Sequence, residues 1–232
     1  MEDIAPLLIQ QITTEFRNAY EKSAKIQRLL EAVKLGAATY EEAREYSLEV
    51  SRLVGLAYEK YISSASLPDG KMYYNIASRL LPDTLDENYR LVADYSAAVQ
   101  KSLNEKARLG LKEQCATLDE DRVNGLVELA ASGEQYDEVS GTLLTAFETF
   151  SQNVVDETIR ANVDFHGRAG LRPTVRRKPT GKCCRWCSAL AGEYTYPDVP
   201  RDVYRRHENC RCGVIYDPGD GRKQNVWSKR WQ

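Results

Sequence analysis

The stretch KCCRWCSALAGEYTYPDVPRDVYRRHENCRC, residues 182–212, holds five of the chain's six cysteines and one of its two histidines. Such crowding restricts the local fold more than any other feature, because thiols this close are ligated, oxidised, catalytic or packed together as free thiols. Cys184 and Cys187 form a C-x-x-C, which places two sulfurs on one cation through a tight turn. After a gap of nineteen residues comes His207-x-x-Cys210-x-Cys212. Two short knuckles of soft donors at that separation fit a structural, four-coordinate Zn2+ site with Zn–S near ~2.3 Å. The donors outnumber the places. Cys184 and Cys187 lead and Cys212 follows. His207 and Cys210 compete for the fourth position, and Cys183 ranks last.

Other uses of the thiols fit less well. A redox C-x-x-C opens a helix after a strand in a βαβ setting, which the flanking sequence lacks. A Cys–His nucleophile pair built on His207 has no orienting third residue in view. A disulfide framework requires export, and the opening MEDIAPLLIQQITTEF has neither a basic n-region nor a small-residue cleavage site. A reducing cytosol is the expected setting.

The region also needs a staple. Residues 167–232 carry 15 Lys+Arg against 6 Asp+Glu, a net of +9, whereas residues 1–166 carry 17 against 28, a net of −11. This shift places a boundary near HGRAG, residues 166–170, between an acidic domain (1–166) and a basic Cys/His-rich domain (167–232). A 66-residue module poor in aliphatic side chains draws only ~3–5 kcal/mol from its core. A structural zinc contributes on the order of 10–16 kcal/mol in small peptides. GEYTYPDVP, with alternating Tyr194 and Tyr196, and CGVIYDPGDG read as short strands and turns.

The acidic part reads as helix. Apolar residues from Ile4 to Val33 recur on one face. Thr39 with Glu42 makes a capping box that opens a helix to about residue 63, and SLPDG is a turn. The spacing predicts a short helix over 71–81, stopped by Pro82. A new helix then starts at TLDE, with Thr84 and Glu87 as a second capping box, and runs to about residue 110. LDEDRVNGLVELAAS and EQYDEVSGTLLTAFETFSQNVVDETIRANVDF supply two more. The expected fold is mainly α: an N-terminal helical bundle or elongated helical array, followed by a small α+β zinc-stapled C-terminal domain. Tyr40, Tyr46, Tyr58 and Tyr61 read as helix-packing aromatics. Cys115 stands alone, and His166 lies in a Gly-rich hinge with no nameable partner. No apolar run approaches eighteen residues, so no membrane span is expected.

Arg172, Arg176, Arg177, Lys178 and Lys182 cluster before the first knuckle, and Arg205, Arg206 and Arg211 lie around the second. Clustered basic side chains neutralise phosphates and release counterions, so double-stranded DNA is a candidate partner. An acidic protein surface suits them equally. Trp227 and Trp231, among basic residues near the end, suit stacking on nucleic acid or anchoring to protein.

The motif C-x-x-C-x-x-L-x-G followed by H-x-N-C-R-C is here Cys184, Cys187, Leu190 and Gly192, then His207, Asn209, Cys210, Arg211 and Cys212. It resembles the C-terminal domain of phage head morphogenesis proteins similar to protein F of bacteriophage Mu. The family's usual proline after the histidine is Glu208. The resemblance spans roughly residues 160–217 and implies a minor head protein without enzymatic activity. It implies a place in the virion, in the head interior or portal region, after assembly in the host cytoplasm. The partners implied are the portal or major capsid protein and further copies of the chain, in head assembly or in DNA packaging and ejection. Two other classes compete. A nuclease using His207 or His166 as general base would need a carboxylate or His cluster around a hydrolytic metal. A zinc-dependent DNA-binding protein would stand outside any virion.

Overall fold

The computed structural model describes residues 3–181, 183–219, 224–225 and 230–231. Pro6 sits in the first turn of α1 (Ala5–Lys22), where its missing N–H leaves no helical bond unmade. The apolar stripe that follows is not one helix. Ser23 is extended, and its hydroxyl accepts from the Ile26 N–H to cap α2 (Ala24–Lys34). The buried face still continues across the break through Leu8, Ile12, Phe16, Ile26 and Leu29. Thr39 then opens α3 (Tyr40–Tyr61) with the expected capping box. A 3-10 turn at Pro68–Gly70 leads into α4 (Tyr74–Lys106).

α4 continues through Pro82, so neither the stop at Pro82 nor the new start at Thr84 occurs. An interior proline removes one helical hydrogen bond and crowds the preceding turn, at about 3 kcal/mol. Ile76, Ala77, Leu80, Leu81 and Leu85 straddle it and are all buried. Burying one such leucine stabilises by roughly 1.5–3 kcal/mol, so packing outweighs the proline. Thr84 donates back to the Leu80 carbonyl at 3.0 Å and accepts from the Tyr58 hydroxyl at 3.1 Å.

α5 (Glu120–Ala130) is capped by Asp119, and α6 (Tyr136–Arg168) is as long as α4. α3 lies at the centre of a helical bundle, against α1, α2, α4 and α6. Gly55 permits the close approach of α6, since a Cβ there would lie 3.2 Å from Leu144. Tyr46 stacks on Tyr95 at 4.2 Å between ring centroids, and Tyr58 meets Phe147 edge-on at 5.1 Å. Tyr40, Tyr46 and Tyr58 are thus core residues, with Tyr61 half-buried.

The HGRAG segment is no hinge, because α6 runs through it to Arg168 and carries His166 on its buried face. Gly167 is required by contact: the Tyr196 ring lies where its Cβ would project. Beyond it, β1 (Thr174–Lys178), β2 (Gly192–Thr195) and β3 (Gly213–Asp217) form an antiparallel sheet in the order β2-β1-β3. Val175 pairs with Tyr194 on one side and Tyr216 on the other. α7 (Arg185–Ala189) lies between β1 and β2 in the chain, and a 3-10 turn at Arg201–Tyr204 between β2 and β3. β4 (Gln224–Asn225) pairs with β5 (Arg230–Trp231). Val175, Val203, Tyr204, Val214 and Tyr216 join the same buried core as the helices, with β3 packed on α3 and α6. The fold is mainly α with a small α+β module at its C-terminal side. Among the described residues no helix is long and apolar enough to cross a membrane. Lys182 and Trp227 lie outside the described residues.

Candidate metal centre

The C-x-x-C acts through a single helical turn. Cys184 is extended at φ −72° and ψ 166° and caps α7, its Sγ accepting from the Cys187 N–H at 3.4 Å. On the second knuckle Asn209 adopts a left-handed φ of 59°, which asparagine tolerates better than most residues. The Cys210 N–H closes that turn on the His207 carbonyl at 3.1 Å.

Two triads result, and they share Cys187. The ligand atoms of Cys184, Cys187 and His207 lie within 4.8 Å of one another, as do those of Cys187, Cys210 and Cys212. His207 Nε2 is 3.1 Å from Cys187 Sγ and 3.4 Å from Cys184 Sγ, and the Cys187 and Cys210 sulfurs are 3.8 Å apart. A tetrahedral zinc with ordinary bond lengths has S···S edges of about 3.8 Å and S···N edges of about 3.5 Å. The three edges given approach these values, so the donors within each triad fit such an ion. So does the histidine: its Nδ1 donates to the Glu208 carbonyl at 2.6 Å, which leaves the Nε2 lone pair free for a cation. Cys183 stands aside, with its sulfur 3.0 Å from the Ser188 hydroxyl. No disulfide joins the cysteines among the described residues.

The centre has a dry back and a wet front. Cys187, Cys210 and Cys212 are buried, whereas Cys184 and His207 are exposed. The Cys187 N–H holds the Cys184 thiol below its ordinary range. Burial pushes Cys187 up to about 12, opposed by Arg177 and reinforced by the Cys212 and Cys210 sulfurs. For Cys210, burial is outweighed by the Cys212 N–H and by the Arg206 and Arg177 charges, and its thiol is drawn down.

The basic residues divide. Arg172, Arg176 and Lys178 are exposed. Arg205 pairs with Asp202 at 3.1 Å and Arg211 with Glu148 at 3.3 Å, both from the surface. Arg177 and Arg206 are interior residues and reach no phosphate, which corrects their reading as part of a DNA-facing cluster. Successive side chains on a strand face opposite ways, so β1 turns Val175 and Arg177 inward and Arg176 and Lys178 outward. Arg206 grips both carboxylate oxygens of Asp156 on α6, with side-chain exposures of 2% and 1%. It also donates to Gln152 Oε1 at 2.9 Å and to the Cys212 carbonyl at 2.8 Å. Burial pushes the Asp156 carboxyl up. Against that same burial, Asp156 keeps the Arg206 guanidinium charged. Arg44 of α3 donates to the Arg211 carbonyl at 2.7 Å. The second knuckle is therefore tied to α3 and α6 by arginines.

His166 lies apart from the sulfurs. It is fully buried, its Nδ1 shares a hydrogen bond with the Tyr216 hydroxyl, and its Nε2 has no partner among the described residues.

A family model described as VG15 protein matches residues 34–232, which takes in the whole metal centre. The chain belongs to the VG15 family. This is a family of viral gene products, which makes the chain a phage protein. The VG15 match begins at the last residue of α2 and covers α3 to α6, the sheet and both knuckles. No curated protein and no solved structure matches the chain.

Proposed function

We propose that this phage protein is a structural, non-enzymatic component of the head, its C-terminal module held by a structural Zn2+. It works beside the portal or major capsid protein in head assembly or in DNA packaging and ejection. One observation carries the reading. The donors of the motif that resembles the head morphogenesis proteins converge on two triads that share Cys187 in a VG15 chain. Four of Cys184, Cys187, His207, Cys210 and Cys212 supply the ligands. When bound, the ion closes its coordination sphere with protein donors and cross-links α7 to the second knuckle, which is structural and not hydrolytic zinc chemistry. The exposed Arg172, Arg176 and Lys178 support contact with DNA phosphates.

The test is co-purification of the full chain with the portal and major capsid proteins of its own phage under reducing conditions, with metal analysis. The expected result is a stable association and about one equivalent of zinc per chain. A folded chain that carries no metal and binds neither protein would sink the proposal.

A further inference from the structure

Arg177 is a full positive charge at the centre of a sheet, 1% exposed. Such a charge is costly unless an anion and several acceptors surround it. Acceptors are present: Nη1 donates to the carbonyls of Asp202, Val203 and Arg205 around the 3-10 turn. Among the described residues, no carboxylate lies within ion-pair distance of it, and Asp156, the nearby buried acid, is taken by Arg206. What faces Nη2 is sulfur, with Cys187 Sγ at 3.7 Å and Cys210 Sγ at 3.5 Å. Trp186 lies against the guanidinium at 5.2 Å from its ring centroid, on the helix that carries the first knuckle.

We infer that Arg177 is the counter-charge and hydrogen-bond donor of the thiolate centre, a positioning residue that sets how tightly the knuckles hold their metal. The inference rests on the metal-centre reading. Three or four thiolates around a divalent cation leave the cluster with net negative charge inside the protein. Arg177 sits where that excess is least hydrated, behind the two buried sulfurs. N–H···S hydrogen bonds draw electron density from the sulfur lone pairs and fix their direction toward the metal. Outer-shell donors of this kind change metal affinity by 10–100-fold. The guanidinium matters as a fork, because one nitrogen holds the 3-10 turn while the other reaches sulfur. A lysine ammonium cannot span both.

The test uses the full chain with Co2+ as a spectroscopic stand-in for Zn2+, comparing wild type, Arg177→Met and Arg177→Lys by competition against a chromophoric chelator. Wild type is expected to bind about one equivalent, with the visible bands of a tetrahedral thiolate site. Arg177→Met is expected to bind roughly 10–100-fold more weakly, and Arg177→Lys to fall between. The sulfur-to-cobalt charge-transfer band should move to lower energy in Arg177→Met, a signature that a purely architectural arginine would leave unmoved. If Arg177→Met does not fold, Arg177→Lys decides by the same two readouts. Unchanged affinity and an unmoved band in the folded variants would overturn the inference alone. No uptake by wild type would overturn the metal centre and this role together.

Discussion

Asp156 and Arg206 meet with almost nothing of either side chain in water. An intact buried pair gains little net stability, because desolvation offsets attraction, but deleting one partner strands the other charge. Asp156→Ala is therefore expected to cost roughly 3–5 kcal/mol, read as a lower urea midpoint at unchanged slope. A loss under about 1 kcal/mol would show that the pair is solvated in solution. His166 sets a second expectation. Burial holds its pKa below the ordinary histidine range, so between the two pKa values the unfolded chain binds the extra proton. The associated stability is complete above the unfolded pKa of about 6.5 and is lost as pH falls through and below it. Denaturation from about pH 7.5 to about pH 5 should show a shallower decline for His166→Phe than for wild type, and equal slopes would refute the assignment. Neither residue declares itself in the sequence. A carboxylate in NVVDETI reads as solvated, and its arginine lies 50 positions away. Arg177 was legible in principle, since a period of two over TVRRK separates it from Arg176, but an arginine-rich run reads first as surface charge.

Local chemistry is what the helices revealed of themselves. The Thr39 capping box closes within four residues, so pattern and structure agree there. Pro82 shows the opposite: whether a proline ends a helix depends on leucines buried against other elements, which no window of sequence contains. Replacing it restores a donor to a helix that already continues. Pro82→Ala should thus raise stability, by up to about 3 kcal/mol, measured by thermal or urea unfolding. Destabilisation would mean that the native packing needs the proline's distortion. The stretch between α4 and α5 was equally hidden. Asn162 of α6 brackets the Gln114 backbone, accepting from its N–H at 2.9 Å and donating to its carbonyl at 2.8 Å. Thr158 accepts from the Ala116 N–H at 3.2 Å. Polar residues on a buried helix face did this work, and the composition of α6 gives no hint of it.

Across the whole molecule, the charge step near residues 166–170 coincides with the end of α6, yet the core crosses it through Val175, Val203, Tyr204, Val214 and Tyr216. The knuckles themselves sit outside that core, as a small separate cluster of Cys187, Cys210 and Cys212. Chelation should therefore act regionally. The far-UV helical signal is expected to persist, while residues 183–212 become open to limited proteolysis. An unchanged digestion pattern with and without chelator would count against a metal at this place. The long helix beneath has a mechanical meaning. α6 spans 33 residues, about 50 Å. Near its start, Asp137 and Ser64 exchange hydrogen bonds at 3.0 and 3.1 Å. Further along, Glu148 and Asp156 hold Arg211 and Arg206 of the second knuckle. A pull on that knuckle enters the rod between its ends, at Glu148 and Asp156, and is shared with α3 through Arg44, so it does not pass solely through the five-residue link between α6 and β1. The sulfur knuckle is a grip, and α6 is the tie-rod that carries its load into the body of the protein.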